Sequence, residues 1–416
     1  MNVFWLTVKP LLFQAWWLFI ALYPIWLPII LALILWEIWI EYVRVKNWAK
    51  QKNVLLEIRL PQEIVKSPRA MEVVINSLYN TGGEGNFILR YWQGNTRPSF
   101  SLEIVSDEGH IRFLLWTRES LRNYVESQIY AQYPDVEIHQ VEDYAAKMVF
   151  NPKINSMWGC RFELTAPAPL PIQSYIDYGL DVDKNPKEEF KIDPLSQMLE
   201  LLNTVKPGEH IWLQIVIRAH KSEKRGDVFS KASDWRDDIR KARDTIFEAI
   251  KKEGRISGTT NEIATVTALG RAYQKYPFDC GIRALYIVDD ESKFSVPMIG
   301  TLTSLLRPFS YSASAFKKAF EKDTLAGFNG FKVAGGTGLD FPWQDFKKIR
   351  VNKMRQKILD RYKRRTFFWA PFKDDTFILT SEALATIYHF PGETAAAPGL
   401  ERIPSTRAQA PSNLPV

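Results

Sequence analysis

Hydrophobic positions divide the chain into one continuous apolar run and a series of shorter segments with helix or strand periodicity. Residues 11–36 contain no charged side chain, and a helix needs about 20 apolar residues to cross the hydrocarbon core of a bilayer. The run lacks the short apolar core and small-residue cleavage site of a secretory signal peptide. We therefore expect residues 1–50 to be a retained membrane anchor with one span, at about 18–43.

Two prolines and many tryptophans indicate how this anchor lies in the membrane. Pro24 and Pro28 favour an interfacial or tilted helix before the span, and a re-entrant hairpin is the alternative. Seven of the 14 tryptophans lie within the first 50 residues, as in the aromatic belts at bilayer surfaces. Lys and Arg are more frequent after the run than before it, so the positive-inside rule predicts a single-pass protein of the inner (cytoplasmic) membrane with a large cytoplasmic C-terminal domain.

Residues 53–145 show the pattern of a first α+β module. Alternating apolar residues mark strands, and helix stripes begin after capping residues such as Ser67 and Thr117. The predicted elements are a strand (53–61), a helix (67–83), a hairpin (99–116), a helix (117–134) and a closing strand (135–142). This βαββαβ order is the ferredoxin-like arrangement.

Residues 155–333 show a second, looser copy with a polar insertion at 220–258. The weak similarity of the two modules suggests a duplication. Its predicted elements are strands at 160–167, 211–219 and 280–290, and helices at 193–209, 234–252, 261–277 and 296–309. A basic helix and a closing helix follow at 334–390. A Pro-rich tail at 391–416 has the composition of a linker. The predicted fold class is α+β, with an N-terminal transmembrane helix and two ferredoxin-like modules.

Positive charge is concentrated in one stretch. Residues 345–365 hold ten Lys and Arg against two Asp, an excess of eight, whereas the whole chain has a net charge of +7. We identify these ten as a candidate surface for a partner or an anion: Lys347, Lys348, Arg350, Lys353, Arg355, Lys357, Arg361, Lys363, Arg364 and Arg365.

An apolar stripe accompanies these charges, formed by Val351, Met354, Ile358 and Tyr362. A cationic amphipathic helix of this kind fits nucleic acid phosphates (DNA), anionic lipid headgroups or an acidic protein face. The alternative is a solvated helix that is docked on its own domain.

Catalytic and cofactor motifs are not found. The GxxxxGK[ST] phosphate loop, the GxSxG elbow and the HExxH helix are missing, and we interpret the glycine-rich segments 81–86 and 334–340 as turns. Cys160 and Cys280 are 120 positions apart, and neither has a second ligand at metal-site spacing. We expect no cofactor, no metal and no enzymatic activity.

The last apolar segment is FILTSEALATIYHFPG, which ends at residue 392 and is followed by LERIPSTRAQAPSNLPV. It resembles a segment of the ATPases of type IV secretion and conjugative DNA transfer that closes an N-terminal domain before the motor. The stretch ESQIYAQYPDVEI is similar to that class as well, and the whole looks closest to membrane-anchored proteins of Patescibacteria-type bacteria. We expect a docking helix that uses Leu384, Ile387, Tyr388 and His389 and packs on the protein's own modules.

The resemblance implies a role in a secretion-like or conjugation-like apparatus, but the sequence ends where the motor would begin. We therefore expect a non-enzymatic, membrane-anchored subunit that docks a separate P-loop ATPase, with the tail leading to that partner, and homo-oligomerisation is compatible with this role. The alternatives are a membrane-tethered nucleic-acid-binding protein that uses the 345–365 helix, and a membrane enzyme without a recognisable motif.

Overall fold

The computed structural model describes most of the chain. It covers residues 13–14, 16–62, 64, 66–181, 193–222, 234–255, 257–310, 329–334, 336–337, 345–369, 373–392 and 398–403, without the side chains of 345–348. The chain divides into two compact units. We call Met1–Gln51 with Gly83–Thr96 the anchor unit, and Lys52–Gly82 with Arg97–Val416 the sheet unit.

The anchor unit contains helix α1 (Tyr23–Lys50) and a single π-helical turn at Ile88–Trp92. A turn at Leu22 separates α1 from the helical residues before it, where Pro24 occupies the first turn of α1. Among the described residues, α1 is the one helix long and apolar enough to cross a membrane, although a signal sequence has the same properties. It extends to Lys50, beyond the predicted end of the span.

The first half of the sheet unit is built from four strands. They are β1 (Asn53–Pro61), β2 (Ser99–Asp107), β3 (His110–Arg118) and β4 (Glu137–Val141). Their spatial order is β4-β1-β3-β2, and every neighbouring pair is antiparallel. Helix α2 (Pro68–Ser77) connects β1 to β2, α3 (Arg122–Gln132) connects β3 to β4, and the short α4 (Tyr144–Lys147) follows.

The second half repeats this plan. It contains β5 (Ser156–Leu164), α5 (Pro194–Asn203), β6 (Glu209–Ala219), β7 (Pro277–Val288), α8 (Val296–Ser304) and β8 (Phe331–Ala334). The strands lie in the order β6-β7-β5-β8 and are antiparallel. Two helices, α6 (Trp235–Lys252) and α7 (Thr260–Gln274), are inserted between β6 and β7, and they share a small core of their own.

Strands β2 and β6 join the halves into one continuous sheet. They pair antiparallel from Ser99 opposite Arg218 to Asp107 opposite His210. The eight strands β1–β8 therefore lie in the order β4-β1-β3-β2-β6-β7-β5-β8, and the Glu103–Gln214 pair is at the centre of the β2–β6 pairing. The result is a mixed structure of helices and a predominantly antiparallel sheet.

The two faces of the sheet are covered differently. Helices α2, α3, α5 and α8 pack on the first face, together with α10 (Ser381–Ile387), which follows strand β9 (Phe377–Thr380). Helix α9 (Asp345–Arg364) packs on the second face and contributes Leu359 and Tyr362 to the core there.

Two predicted features are wrong. Thr117 does not cap a helix; it is buried in β3 opposite Val54, because its β-branched side chain continues the alternation of the hairpin, and α3 begins only at Arg122. The predicted tail is not an open linker throughout. Arg402–Ile403 forms strand β10, parallel to β1, and Leu400 is buried against the core.

Candidate functional site

Helix α9 presents an exposed basic stripe on its outer side. Arg350, Lys353, Lys357 and Arg364 are exposed, and their spacings of three, four and seven residues place them on one side of a helix. Fourteen residues separate the first from the last, so the stripe is about 21 Å long at 1.5 Å per residue. Asp360 is the one exposed acidic residue of α9 within the described side chains.

Apolar side chains border this stripe. Ile349 is 59% exposed and Met354 is 41% exposed, and helical geometry puts one on each flank of the basic residues. Met354 thus lies on the outer side and not in the predicted apolar stripe. Tyr362, Leu359 and the partly buried Ile358 form the inner stripe instead.

The remaining basic residues of α9 lie inward or outside the described side chains. Arg355 is 3% exposed, and Arg361 donates from Nη1 to Asp374 Oδ2 at 2.5 Å. Lys363 donates to the carbonyl oxygen of Met148. The predicted Lys347 and Lys348 side chains lie outside the described part. The structure therefore divides the other eight predicted residues into an outer group of four and a group of four that lies inward, Arg355, Arg361, Lys363 and Arg365.

Arg365 is the most deeply engaged of the ten. Its guanidinium contacts Glu103 through Nε to Oε1 at 2.8 Å and Nη2 to Oε2 at 3.2 Å. It also contacts Asp143 at 2.7 and 3.0 Å. Burial disfavours the charged guanidinium, but these two carboxylates outweigh burial and raise the pKa of Arg365 well above its ordinary value.

Glu103 is fully buried on β2 and accepts further hydrogen bonds. Ser101 Oγ donates at 2.6 Å, Tyr144 OH at 2.8 Å and Gln214 Nε2 at 2.9 Å. Tyr362 OH lies 2.7 Å from Tyr144 OH, and burial together with the Glu103 charge raises the pKa of both tyrosines well above the ordinary value. A buried carboxylate with this many donors is fully hydrogen-bonded, and the network stabilises the fold.

The predicted docking helix is buried in the protein itself. Leu384 and Ile387 are fully buried in the core on the first face of the sheet, so α10 packs on the sheet unit. Tyr388 OH donates to the carbonyl oxygen of Leu114 at 3.1 Å. His389 Nε2 lies 3.2 Å from Asp193 Oδ2. These four side chains therefore stabilise the fold and do not form a surface for a partner.

Metal and nucleophile sites are not found in the described part of the chain. No group of three His, Cys, Asp or Glu residues there is arranged to hold a metal ion. Cys160 and Cys280 are buried and unpaired, and burial raises the pKa of the Cys160 thiol to about 12. Neither thiol therefore has the exposed, low-pKa environment of a reactive cysteine.

Sequence reasoning missed two arrangements. Glu103 interrupts an apolar strand, and a charge in a strand that is buried on both faces is a signal for a buried ion pair. The aromatic residues at 87–92 were not assigned to any element, although Phe87, Tyr91 and Trp92 form an unusually dense aromatic group for a loop. Their partners could be found only in the structure.

Comparison with known proteins gives one result. The family model described as Domain of unknown function (DUF8128) matches residues 43–401. No curated protein matches the chain. The matched range includes the second part of α1 and nearly all of the sheet unit.

Proposed function

The chain belongs to the family described as Domain of unknown function (DUF8128), and we propose that it is a non-enzymatic, membrane-anchored subunit of a type IV secretion-like or conjugation-like apparatus. In this role α1 is a single span of the cytoplasmic membrane and the sheet unit lies in the cytoplasm. The sheet unit docks a separate P-loop ATPase through the outer side of α9.

The two halves of the sheet unit are, in this proposal, two ferredoxin-like modules. The order β4-β1-β3-β2 with two connecting helices supports this for the first half. The order β8-β5-β7-β6 supports it for the second. Fold alone assigns no activity to such modules.

The observation that carries the docking role is the composition of the outer side of α9. Four cations, Arg350, Lys353, Lys357 and Arg364, lie beside the exposed Ile349 and Met354. Arg and Met are enriched at protein interfaces, where apolar contact supplies affinity and charge supplies orientation. This combination fits an acidic protein face with apolar residues better than it fits a phosphate backbone.

A second candidate function is DNA binding by the same stripe. The four exposed cations favour it, but four others of the predicted ten point inward: Arg355, Arg361, Lys363 and Arg365. If about four phosphates were contacted, the affinity for duplex DNA would fall with salt with a log–log slope of about −3.6. A steep salt dependence of DNA affinity that is lost when the charges of the stripe are reversed would favour this function over ATPase docking.

The experiment uses the full chain in detergent micelles and a purified P-loop ATPase of the type IV secretion class. Binding is measured by biolayer interferometry for Lys353→Glu/Lys357→Glu and for Lys66→Glu/Lys206→Glu, which makes the same charge change at exposed lysines away from α9. We expect the α9 variant to weaken binding at least tenfold and the control to bind as the unchanged chain does. Equal binding of all three proteins would contradict the docking role.

A further inference from the structure

The anchor unit contains an aromatic segment outside the apolar run. Residues 87–92 (FILRYW) contain the π-helical turn, and Phe87, Ile88 and Trp92 are 60%, 63% and 56% exposed. Isolated exposed apolar residues are ordinary, but three large ones within six residues form a contiguous patch that marks an interaction site.

This patch packs on the second half of α1 through aromatic contacts. The ring of Trp36 lies 6.1 Å from that of Phe87 and 5.5 Å from that of Tyr91, and Trp39 lies 6.0 Å from Trp92. The indole Nε1 of Trp39 donates to the carbonyl oxygen of Tyr91 at 3.0 Å. Trp36 is the last residue of the uncharged run, so the aromatic group lies where that run ends.

Polar contacts replace aromatic ones further along α1. Asn47 Nδ2 donates to Gln93 O at 2.8 Å and to Asn95 Oδ1 at 2.7 Å. From Trp36 to Asn47 the helix rises about 16 Å. The aromatic end of the loop therefore packs beside Trp36 and Trp39, and its polar end packs beside Asn47.

Gly94 makes the close approach of loop and helix possible. Its φ is +66°, and a Cβ at this position would lie 2.4 Å from the carbonyl oxygen of Val43. Any other L-residue would have to adopt a left-handed conformation and also displace the helix backbone. The loop is thus fixed to α1 in one register, with its aromatic end beside Trp36 and Trp39.

We propose that residues 87–92 are a second membrane-contacting element, in which Phe87, Ile88 and Trp92 insert into the interfacial region of the lipid bilayer beside α1. The occupant is a lipid surface because the patch continues the apolar, tryptophan-bearing side of a candidate span. Aromatic side chains with polar edges favour the headgroup boundary. The inference rests on the membrane anchor of the proposed function and does not depend on the ATPase.

The test measures the depth of a fluorescent probe in vesicles of phosphatidylcholine and phosphatidylglycerol. The environment-sensitive dye NBD is attached to Ile88→Cys, to Leu33→Cys within the apolar run, or to Ile154→Cys, an equally exposed apolar site of the sheet unit. Cys160 and Cys280 are buried, so the folded full chain is labelled at the introduced thiol. Quenching is compared between lipids that carry a nitroxide near the headgroup and near the end of the acyl chain.

We expect the Ile88 probe to be quenched more by the shallow nitroxide, the Leu33 probe more by the deep nitroxide, and the Ile154 probe by neither. Quenching at Leu33 without quenching at Ile88 would overturn the inference and leave the anchor intact. If neither site were quenched, the anchor itself would fail. Phe87→Ser/Trp92→Ser should reduce the quenching at Ile88 by more than half and leave that at Leu33 unchanged.

Discussion

The guanidinium of Arg365 lies 2.8 Å from the carboxylate of Glu103, although 262 residues separate them in the chain. The side chain of Arg365 is 1% exposed and that of Glu103 is fully buried. Arg365 follows α9 directly and has a φ of 51°, a left-handed conformation in which glycine is the usual residue after a helix. The ion pair therefore maintains a residue at a position where its backbone is strained by about 1 kcal/mol or more.

Breaking this pair from one side should destabilise the protein strongly. Arg365→Met leaves Glu103 buried without its cation, which costs about 3–5 kcal/mol of unfolding free energy. The double variant Glu103→Leu/Arg365→Met removes both charges and should be less destabilised than Arg365→Met alone. Urea unfolding of the full chain in micelles measures both values. A double variant that is as unstable as the sum of the single variants would show that the two residues are not coupled.

The stability of the sheet unit should change with pH through His210. Burial lowers the pKa of His210, but the hydrogen bond and charge of Asp107 outweigh it, so the pKa lies above the ordinary 6.5. The imidazolium thus stabilises the fold fully below pH 6.5, and this contribution is lost as the pH rises through the raised pKa. The melting temperature of His210→Gln should therefore decrease less above pH 6.5 than that of the unchanged chain.

Asp107, the partner of His210, should make the stability depend on pH at the acidic end. Burial raises its pKa, whereas hydrogen bonds from His210 and Trp212 and the nearby Arg112 lower it to a net value below 3.8. Its contribution is present above that ordinary value and is lost as the pH falls through the depressed pKa. The pair should therefore stabilise most between about pH 4 and 6.5. Identical pH profiles for the His210→Gln variant and the unchanged chain would contradict both assignments.

The closing helix should tolerate no charge on its inner side. Leu384→Asp places a carboxylate at a fully buried position of α10 and should lower the unfolding free energy by a few kcal/mol. Val73→Asp is the matched control, since Val73 of α2 is 45% exposed, and it should change the melting temperature little. Equal effects of the two substitutions would mean that α10 is not docked as described.

The segment at 398–403 should contribute to stability. Leu400 is 7% exposed and packs in the main core, so Leu400→Ala should cost about 2–4 kcal/mol. Val149→Ala, at a 70% exposed site, provides the control. Thermal unfolding of the full chain checks the difference, and no shift for Leu400→Ala would restore the view that this segment is only a linker.

Gly94→Ala tests how the aromatic loop is fixed to α1. The added Cβ would clash with the backbone of Val43, and alanine would have to adopt the positive φ of Gly94. The loop should therefore detach from the helix. Gly85→Ala is the control, since nothing lies within 4 Å of a Cβ there. Limited chymotrypsin digestion should cut the 87–92 segment several times faster in Gly94→Ala than in the control. Equal rates would contradict this role of Gly94.

Local periodicity was sufficient to predict most helices and strands, because the alternation in β2 and the stripe of α2 are local properties. It failed where distant partners decide the outcome. Met354 satisfies the helix period but lies outside, since the inward direction of α9 is set by Leu359, Tyr362 and Arg365. The tail at 398–403 has a linker composition, yet pairing with β1 fixes it.

The candidate site was predictable only in part. The excess of positive charge identified α9, but whether Arg350 or Arg365 faces solvent depends on a carboxylate on a distant strand. The contacts of Trp36 with Phe87 could not be predicted either, since no local pattern relates the apolar helix α1 to a loop some 50 residues later.

The distance in sequence between Glu103 and Arg365 also determines when the protein can complete its fold during synthesis. At about 5–20 residues per second, a ribosome needs roughly 13–50 s after Glu103 to add Arg365. Throughout that interval the nascent sheet lacks both the cation of Glu103 and the helix that covers its second face. A chain that ends before residue 365 therefore has an uncompensated buried carboxylate at Glu103 and an apolar sheet face that α9 does not cover.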